Sequence, residues 1–237
     1  MDMLESRRKA LLMTAGAVAG TTLALAACGG AESGSKEVLA VEDMMREHGV
    51  LRRALLVYAE AAARLRSGQG PVPADALGQA AALFRSFGED YHERRLEEAF
   101  VFPAVEKAGG PTASLPAVLK AQHDRGREIT AYITAVTRGG SIASANAGPL
   151  AQTLDGFVRM YQQHAALEDT QVFPAWKAAV SSHEYEELSD RFEELEKQMF
   201  GKDGYEDAVS RIGLIERAFG LDDAARLTPP APPQPAA

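Results

Sequence analysis

The chain has a single cysteine, Cys28, in 237 residues. One thiol closes no internal disulfide, so no disulfide framework holds this fold. Basic residues are outnumbered, 25 Lys and Arg against 33 Asp and Glu, for a net charge of -8. Phosphate binding needs a basic face, so nucleic acid is excluded as a main partner. Aromatics are sparse at 7%. Alternating Val, Ile and Thr runs are scarce as well, which argues against a sheet protein. What fills the chain instead is Ala, Leu, Glu and Arg in long stretches, the composition of helices. Hydrophobic residues at 46% and charged residues at 24% describe a globular chain. The length suits one domain with extensions.

The N-terminal segment reads as an address. Arg7, Arg8 and Lys9 precede an apolar run from Ala10 to Ala27 that is rich in Ala and Gly. A basic region, a short apolar region and then small residues is the order of an export signal. The paired arginines resemble a twin-arginine signal, although Ala10 stands where such signals carry a bulky apolar residue. The run ends Leu25-Ala26-Ala27-Cys28, which resembles the bacterial lipoprotein box. The expectation is an export signal over 1–28, lipidation at Cys28, a flexible Gly/Ser tether over 29–37, and a membrane-anchored protein at the bacterial cell envelope, in the periplasm or on the outer face.

Four amphipathic stretches follow. Val38 to Arg66 places Val41, Met44, His48, Leu51, Leu55 and Ala62 on one helical stripe. Ala74 to Ala108 sets Phe84, Phe87, Tyr91, His92 and Leu96 on or beside one face, with Pro103 predicting a kink or an end near Phe102. Ser114 to Thr137 aligns Leu119, His123, Thr130 and Ile133, with Ser114 as the expected cap and Pro116 in the first turn. Pro149 to Val180 aligns Phe157, Met160, His164, Leu167, Glu168 and Gln171. Glycine and proline clusters at 67–71, 109–111 and 138–140 separate them. The prediction is an all-α, up-down-up-down four-helix bundle over 38–180. One or two extra helices are expected over 181–220, from Ser182 (as cap) to Phe200 and from Tyr205 to Phe219, docked on the bundle end or on a partner. A Pro-rich, disordered tail completes the chain over 221–237.

Histidine is scarce, and its distribution carries the chemistry. Of five histidines, His48, His92, His123 and His164 fall one per predicted bundle helix, each on or next to the apolar stripe; His183 sits in a charged segment. One buried imidazole is ordinarily satisfied by a backbone carbonyl. Four, one per helix, share a simpler reason, a metal in the core. Two carboxylates sharpen this. His164 and Glu168 are four apart and project from one helical face. Glu97 follows His92 by five, which turns the side chains roughly 140° apart on an α-helix; either a local π-bulge brings them together or the long Glu side chain reaches sideways. The segments Leu96–Ala104 (LEEAFVFPA) and Leu167–Ala175 (LEDTQVFPA) repeat the order His, Glu, Val-Phe-Pro, with Glu97 matching Glu168 and Glu98 matching Asp169. Glu47 reads either as an exposed helix carboxylate or as an acceptor orienting His48. Phe173 and Trp176 are expected to pack the bundle end.

These residues resemble the hemerythrin-like, or HHE, cation-binding domain. The resemblance rests on Arg46-Glu47-His48, on His92 to Pro103, on Gln122-His123, and on His164 through Glu168 to Pro174, and it spans about 140 residues from 41 to 180. It implies two iron ions, with His48, His92, His123 and His164 as ligands and Glu97 and Glu168 bridging; zinc or manganese stay open as alternatives. Oxygen-carrying members have a second histidine one turn after the third-helix ligand, where this chain has Arg127. Water, Glu128, Tyr58, Tyr91 or Tyr161 then stand as substitutes, or the position stays open. The function implied is binding or sensing of oxygen, peroxide or nitric oxide. The alternatives are a di-iron oxidoreductase (peroxidase, ferroxidase or nitric oxide scavenging) and a metal-free structural bundle. Oligomeric state has no signal in the sequence.

Overall fold

The structure, a computed structural model, describes residues 38–68 and 70–233. The expected export signal, Cys28 and the tether lie outside the described residues, as does the tail end over 234–237.

Six helices make up the fold, and no strand occurs among the described residues. Helix α1 is Ala40–Ser67. Helix α2 runs from Ala74–Leu83 through a π-helical stretch, Phe84–Val101, into Phe102–Ala108. Helix α3 is Leu115–Thr137. Helix α4 runs from Ser144–Leu167 through a π turn, Glu168–Val172, into Phe173–Ala179. Helices α5 and α6 are Ser182–Phe200 and Gly204–Phe219. The first four form the expected up-down-up-down bundle, with α1 packed on α4 and α2 on α3. No helix among the described residues is long and apolar enough to cross a membrane.

Local chemistry explains the boundaries. Helix α1 begins with Glu42 and Asp43 and ends with Arg64 and Arg66, matching the helix dipole at both ends. It stops at Gly68, whose φ of +64° only glycine adopts easily and whose N–H reaches the Arg64 carbonyl at 3.0 Å. Three sequence expectations need correction here. Ser114 makes no capping bond and has helical dihedrals, because it lies within a tight turn leading into α3. Helix α4 begins at Ser144, five residues before Pro149, which is accommodated inside the helix. Ser181, not Ser182, caps α5: its side chain accepts from the Glu184 N–H, the geometry of a residue just outside the helix.

The two proline positions do more than end a helix. The Phe102 N–H donates to the Glu97 carbonyl, and the Phe173 N–H to the Glu168 carbonyl, both five residues back. The next residue in each case is proline, which has no N–H to continue that winding, and the helix resumes in the α form. Neither Pro103 nor Pro174 breaks its helix.

The extra helices pack along the side of the bundle as well as near one end. Helix α6 lies against α1 and α2, tied by a two-pronged pair from Arg53 to Glu216 at 2.8 and 2.5 Å. Helix α5 supplies side chains to the start of α1: the Ala40 N–H donates to Ser189 Oγ at 3.1 Å and the Val41 N–H to the Tyr185 hydroxyl at 2.9 Å. Those two amides have no partner within their own helix, so α5 does the work of a cap. Trp176 stacks on Phe192 of α5 with ring centroids 5.7 Å apart. The acidic stretch of α5 is mostly solvated, but Glu196 turns inward and accepts from the Tyr205 N–H at 2.7 Å.

Gly126 of α3 lies directly against the Tyr161 ring of α4. A Cβ there would lie 2.2 Å from the Tyr161 hydroxyl. Gly126→Ala is therefore expected to cost about 1–3 kcal/mol through overpacking, read as a lower urea midpoint with an unchanged slope. An unchanged midpoint would show that the two helices part without cost.

Candidate metal centre

Four imidazoles and two carboxylates converge midway along the bundle. All six residues are at most 2% exposed. His48 and His92 form one pair, with Nε2 atoms 2.9 Å apart. His123 and His164 form the other, 3.0 Å apart. Between the pairs lie Glu97 and Glu168, each turning one oxygen to each pair. Glu97 Oε1 is 3.2 Å from His92 Nε2, and its Oε2 is 3.4 Å from His123 Nε2. Glu168 Oε2 is 3.4 Å from His48 Nε2, and its Oε1 is 3.0 Å from His164 Nε2.

The π winding produces this. Closing each turn over five residues places Glu97 above His92, the first of the two routes the spacing allowed. On α4 the α winding carries His164 to Glu168 and becomes π only at Glu168. The buried stripe of α4 therefore reads Leu154, Phe157, Tyr161, His164, Ala165, Glu168 and Val172. The sequence expectation had Met160, Leu167 and Gln171 on it; Met160 and Leu167 sit at its margin and Gln171 is exposed, because each lies one position off the stripe.

The outer nitrogen of every ring is anchored. His48 Nδ1 donates to Asp169 Oδ1 at 2.7 Å, His92 Nδ1 to Glu47 Oε2 at 2.7 Å, His123 Nδ1 to Glu98 Oε1 at 2.9 Å, and His164 Nδ1 to Gln122 Oε1 at 2.9 Å. Since carboxylate and amide oxygens accept only, each Nδ1 carries the hydrogen, and in its neutral form each ring turns a bare Nε2 lone pair inward. Two lone pairs face each other in each pair, and all four oxygens of Glu97 and Glu168 lack a hydrogen-bond donor. A buried arrangement of acceptors without donors is unfavourable unless cations sit among them. The donor set fits metal ions. Glu97, His123, His164 and Glu168 offer ligand atoms all within 4.8 Å of one another, and so do His48, His92 and Glu97.

The electrostatics agree. Burial opposes charge on His123, but Glu93, Glu97 and Glu98 outweigh it and hold the ring up at about 10. His92 is also raised well above its ordinary value, burial being overcome by Glu97 and Glu47. Conversely, burial pushes Glu97 up, but His92 and His123 hold it well below the carboxylate range. Without metal, the cluster supplies its own positive charge as bound protons.

The two halves of the site are related by the sequence repeat. Phe173 stacks on His48 at 5.4 Å and Phe102 on His123 at 5.5 Å. Phe173 thus covers an imidazole, where the sequence suggested only end packing. Arg52 pairs with Asp169, and Arg127 with Glu98 at 2.6 Å; both arginines follow their histidine by four. Glu47 is buried and holds His92 on the neighbouring helix, not the adjacent His48. Sequence adjacency pointed to the wrong ring, because successive helical residues point about 100° apart.

The substitutes for a fifth histidine lie elsewhere. Glu128 is 64% exposed and paired with Arg125 at 2.7 Å. Tyr58 sits in an aromatic cluster with Phe84 and Phe157, and Tyr91 packs on Phe87 and Phe200. Tyr161 is nearest, 5.1 Å from His164 between ring centroids, but its hydroxyl donates to Glu93 Oε1 at 2.7 Å. Arg127 also reaches Glu93, at 3.1 Å. His183 is exposed beside Glu187, apart from the cluster. A cavity of about 10 Å³, room for one water-sized guest, opens beside the metal-facing atoms and is walled by Leu51, Leu55, Ala165 and Tyr161.

Residues 39–176 match the family model described as the hemerythrin HHE cation binding domain. Uncharacterised proteins of Mycobacterium tuberculosis and of Mycobacterium bovis are 39% identical over 235 residues, covering 94% of this chain and 91% of theirs. No solved structure matches. The buried histidine and glutamate groups and the family match agree, and the chain belongs to the hemerythrin HHE cation-binding family as a metal-binding helical bundle.

Proposed function

We propose that the chain holds two iron ions, one between His48 and His92 and one between His123 and His164, bridged by Glu97 and Glu168, and that the pair binds or senses a small ligand such as oxygen, peroxide or nitric oxide. The observation that carries this reading is the two-faced placement of both glutamates, with one oxygen toward each histidine pair and no donor on either. Mixed imidazole and carboxylate donors suit iron, with zinc and manganese the competitors. Bound iron would supply Lewis acidity and redox reactivity; the chain supplies fixed imidazoles and an apolar chamber of one-molecule size. The cell-envelope location is part of the proposal and rests on the basic, apolar, Cys28-ending segment.

Arg127, where oxygen carriers have a fifth imidazole, favours a second reading as a peroxide-consuming oxidoreductase, since coordination positions stay open. The full chain purified in air is expected to carry close to two iron ions and to show the near-ultraviolet charge-transfer absorption of a ferric pair. Absence of iron, zinc and manganese alike would remove the reading. Peroxide turnover well above that of His164→Ala would favour the oxidoreductase, and equal rates the binding protein.

A further inference from the structure

The pseudo-symmetry of the site fails at one pair of matched positions, and that failure points to a function. His92 and His164 are counterparts in the repeat. The outer nitrogen of His92 meets a carboxylate, Glu47; that of His164 meets a neutral amide, Gln122. We propose that the two metal positions are unequal by construction: the position between His48 and His92 fills first and empties last, and the position between His123 and His164 is the exchangeable one. The inference rests on the two-metal reading above and adds to it an order of binding.

Two observations carry it. The first is charge. A carboxylate accepting from Nδ1–H draws that proton outward and makes the opposite nitrogen a stronger donor, and a charged acceptor does so about twice as strongly as a neutral one. Glu47 spends this charge on His92 alone: its other oxygen, Oε1, has no hydrogen-bond partner, and the side chain is 1% exposed. The second is access. Gln122 is half-buried and lines an open polar groove between α3 and α4, with Gln152, Asp155, Arg159 and Gln163. The outer edge of His164 is thus backed by a side chain in contact with water, whereas that of His92 is dry.

The remaining outer partners are matched. His48 and His123 both meet a carboxylate that an arginine neutralises, Asp169 with Arg52 and Glu98 with Arg127. Arg127 is the better buried, 11% exposed against 44% for Arg52, so its positive charge is less screened and weakens the second position further. Two groups work in the opposite direction. Asp124, 65% exposed, also accepts from Arg127 at 2.9 Å and offsets part of its charge. Glu93 adds a carboxylate beside His123, but at 3.9 Å from Nδ1 it is outside hydrogen-bond reach, and its oxygens already accept from Tyr161 and Arg127.

The test uses the metal-free full chain and cobalt(II), whose visible absorption reports binding and whose anomalous scattering locates it. Outer-partner changes alter metal affinity by about 10–100-fold, so two resolved affinities separated by about that factor are expected. Crystals prepared with one equivalent should show cobalt chiefly at His48 and His92. The exchange of partners, Glu47→Gln together with Gln122→Glu, is expected to reverse the order. Equal occupancy of the two positions at one equivalent in the wild-type chain would overturn the proposal, and so would an unreversed order in a folded double variant. Binding of no cobalt at either position would instead defeat the two-metal reading itself.

Discussion

Glu168→Ala is expected to empty both metal positions, lowering bound metal from about two ions per chain to near zero under conditions that load the wild type. The ground is geometric. Glu168 gives one oxygen to the His48 side and the other to the His164 side, so its loss removes a ligand from each position at once. His164→Ala removes one ligand from one position and is expected to retain about one ion. The effect on stability separates into two parts. In the metal-free chain burial and Glu97 push Glu168 up, but His164 and His48 hold it below the carboxylate range, and Glu168 in turn helps to raise His48, so the metal-free variant is expected to be less stable than the metal-free wild type. The stabilisation contributed by binding, about 4 kcal/mol at free metal a thousandfold above Kd, is expected to vanish. Elemental analysis together with denaturant unfolding, with and without chelator, reads both parts. Retention of two ions by Glu168→Ala would place the bridging function elsewhere.

The metal-free and loaded proteins are expected to respond to pH in opposite ways. In the metal-free chain His123 is raised to about 10, and His48 and His92 are raised as well. A raised histidine stabilises the fold fully below its unfolded value of about 6.5, and that contribution disappears as pH climbs through the folded value. Glu98, held down to about 2 by His123 and Arg127 against the effect of burial, stabilises above about 4.5 and loses its contribution as pH falls toward 2. Burial lifts Glu89 to about 7, so its contribution is lost earlier, as pH climbs from about 4.5 through 7. The metal-free protein should therefore be most stable at about pH 4.5–5 and lose stability from there to about pH 10, first through Glu89 and then through the raised histidines. Metal requires neutral imidazoles, so loading near pH 7.5 should release protons to the buffer, and the loaded protein should keep its stability into the alkaline range and lose metal in acid. Calorimetry in buffers of different ionisation enthalpy checks the proton release. Uptake of metal without proton release would mean that the rings are neutral beforehand.

Much of this site was legible in the sequence because its chemistry is periodic. One histidine per helix, on an apolar stripe, already places four rings in one interior. The repeated Glu and Val-Phe-Pro order singled out both central carboxylates, and the five-residue step from His92 to Glu97 suggested the π winding found over Phe84–Val101. What escaped was everything that depends on a neighbour across the bundle. Glu47 serves a ring 45 residues away, and Phe173 covers a ring from another helix. A single helix carries no record of which ring it will meet. The π turn also put Val172 rather than Gln171 on the buried side of α4, beyond the reach of an α-periodic reading. Ser182 lost the cap of α5 to its neighbour Ser181, a residue of the same type, and Ser114 lost its capping role to the helical turn it sits in.

The placement of Pro103 and Pro174 has a consequence for how the site comes into being. A helix that changes winding elsewhere can shift the change up or down by exchanging one amide bond for the next. Here Pro103 and Pro174 lack the amide that a shift towards the C-terminus would use, so the π winding runs past neither of them. Glu97 and Glu168 each stand one turn before such a fixed stop, which limits how far either can swing about its helix axis.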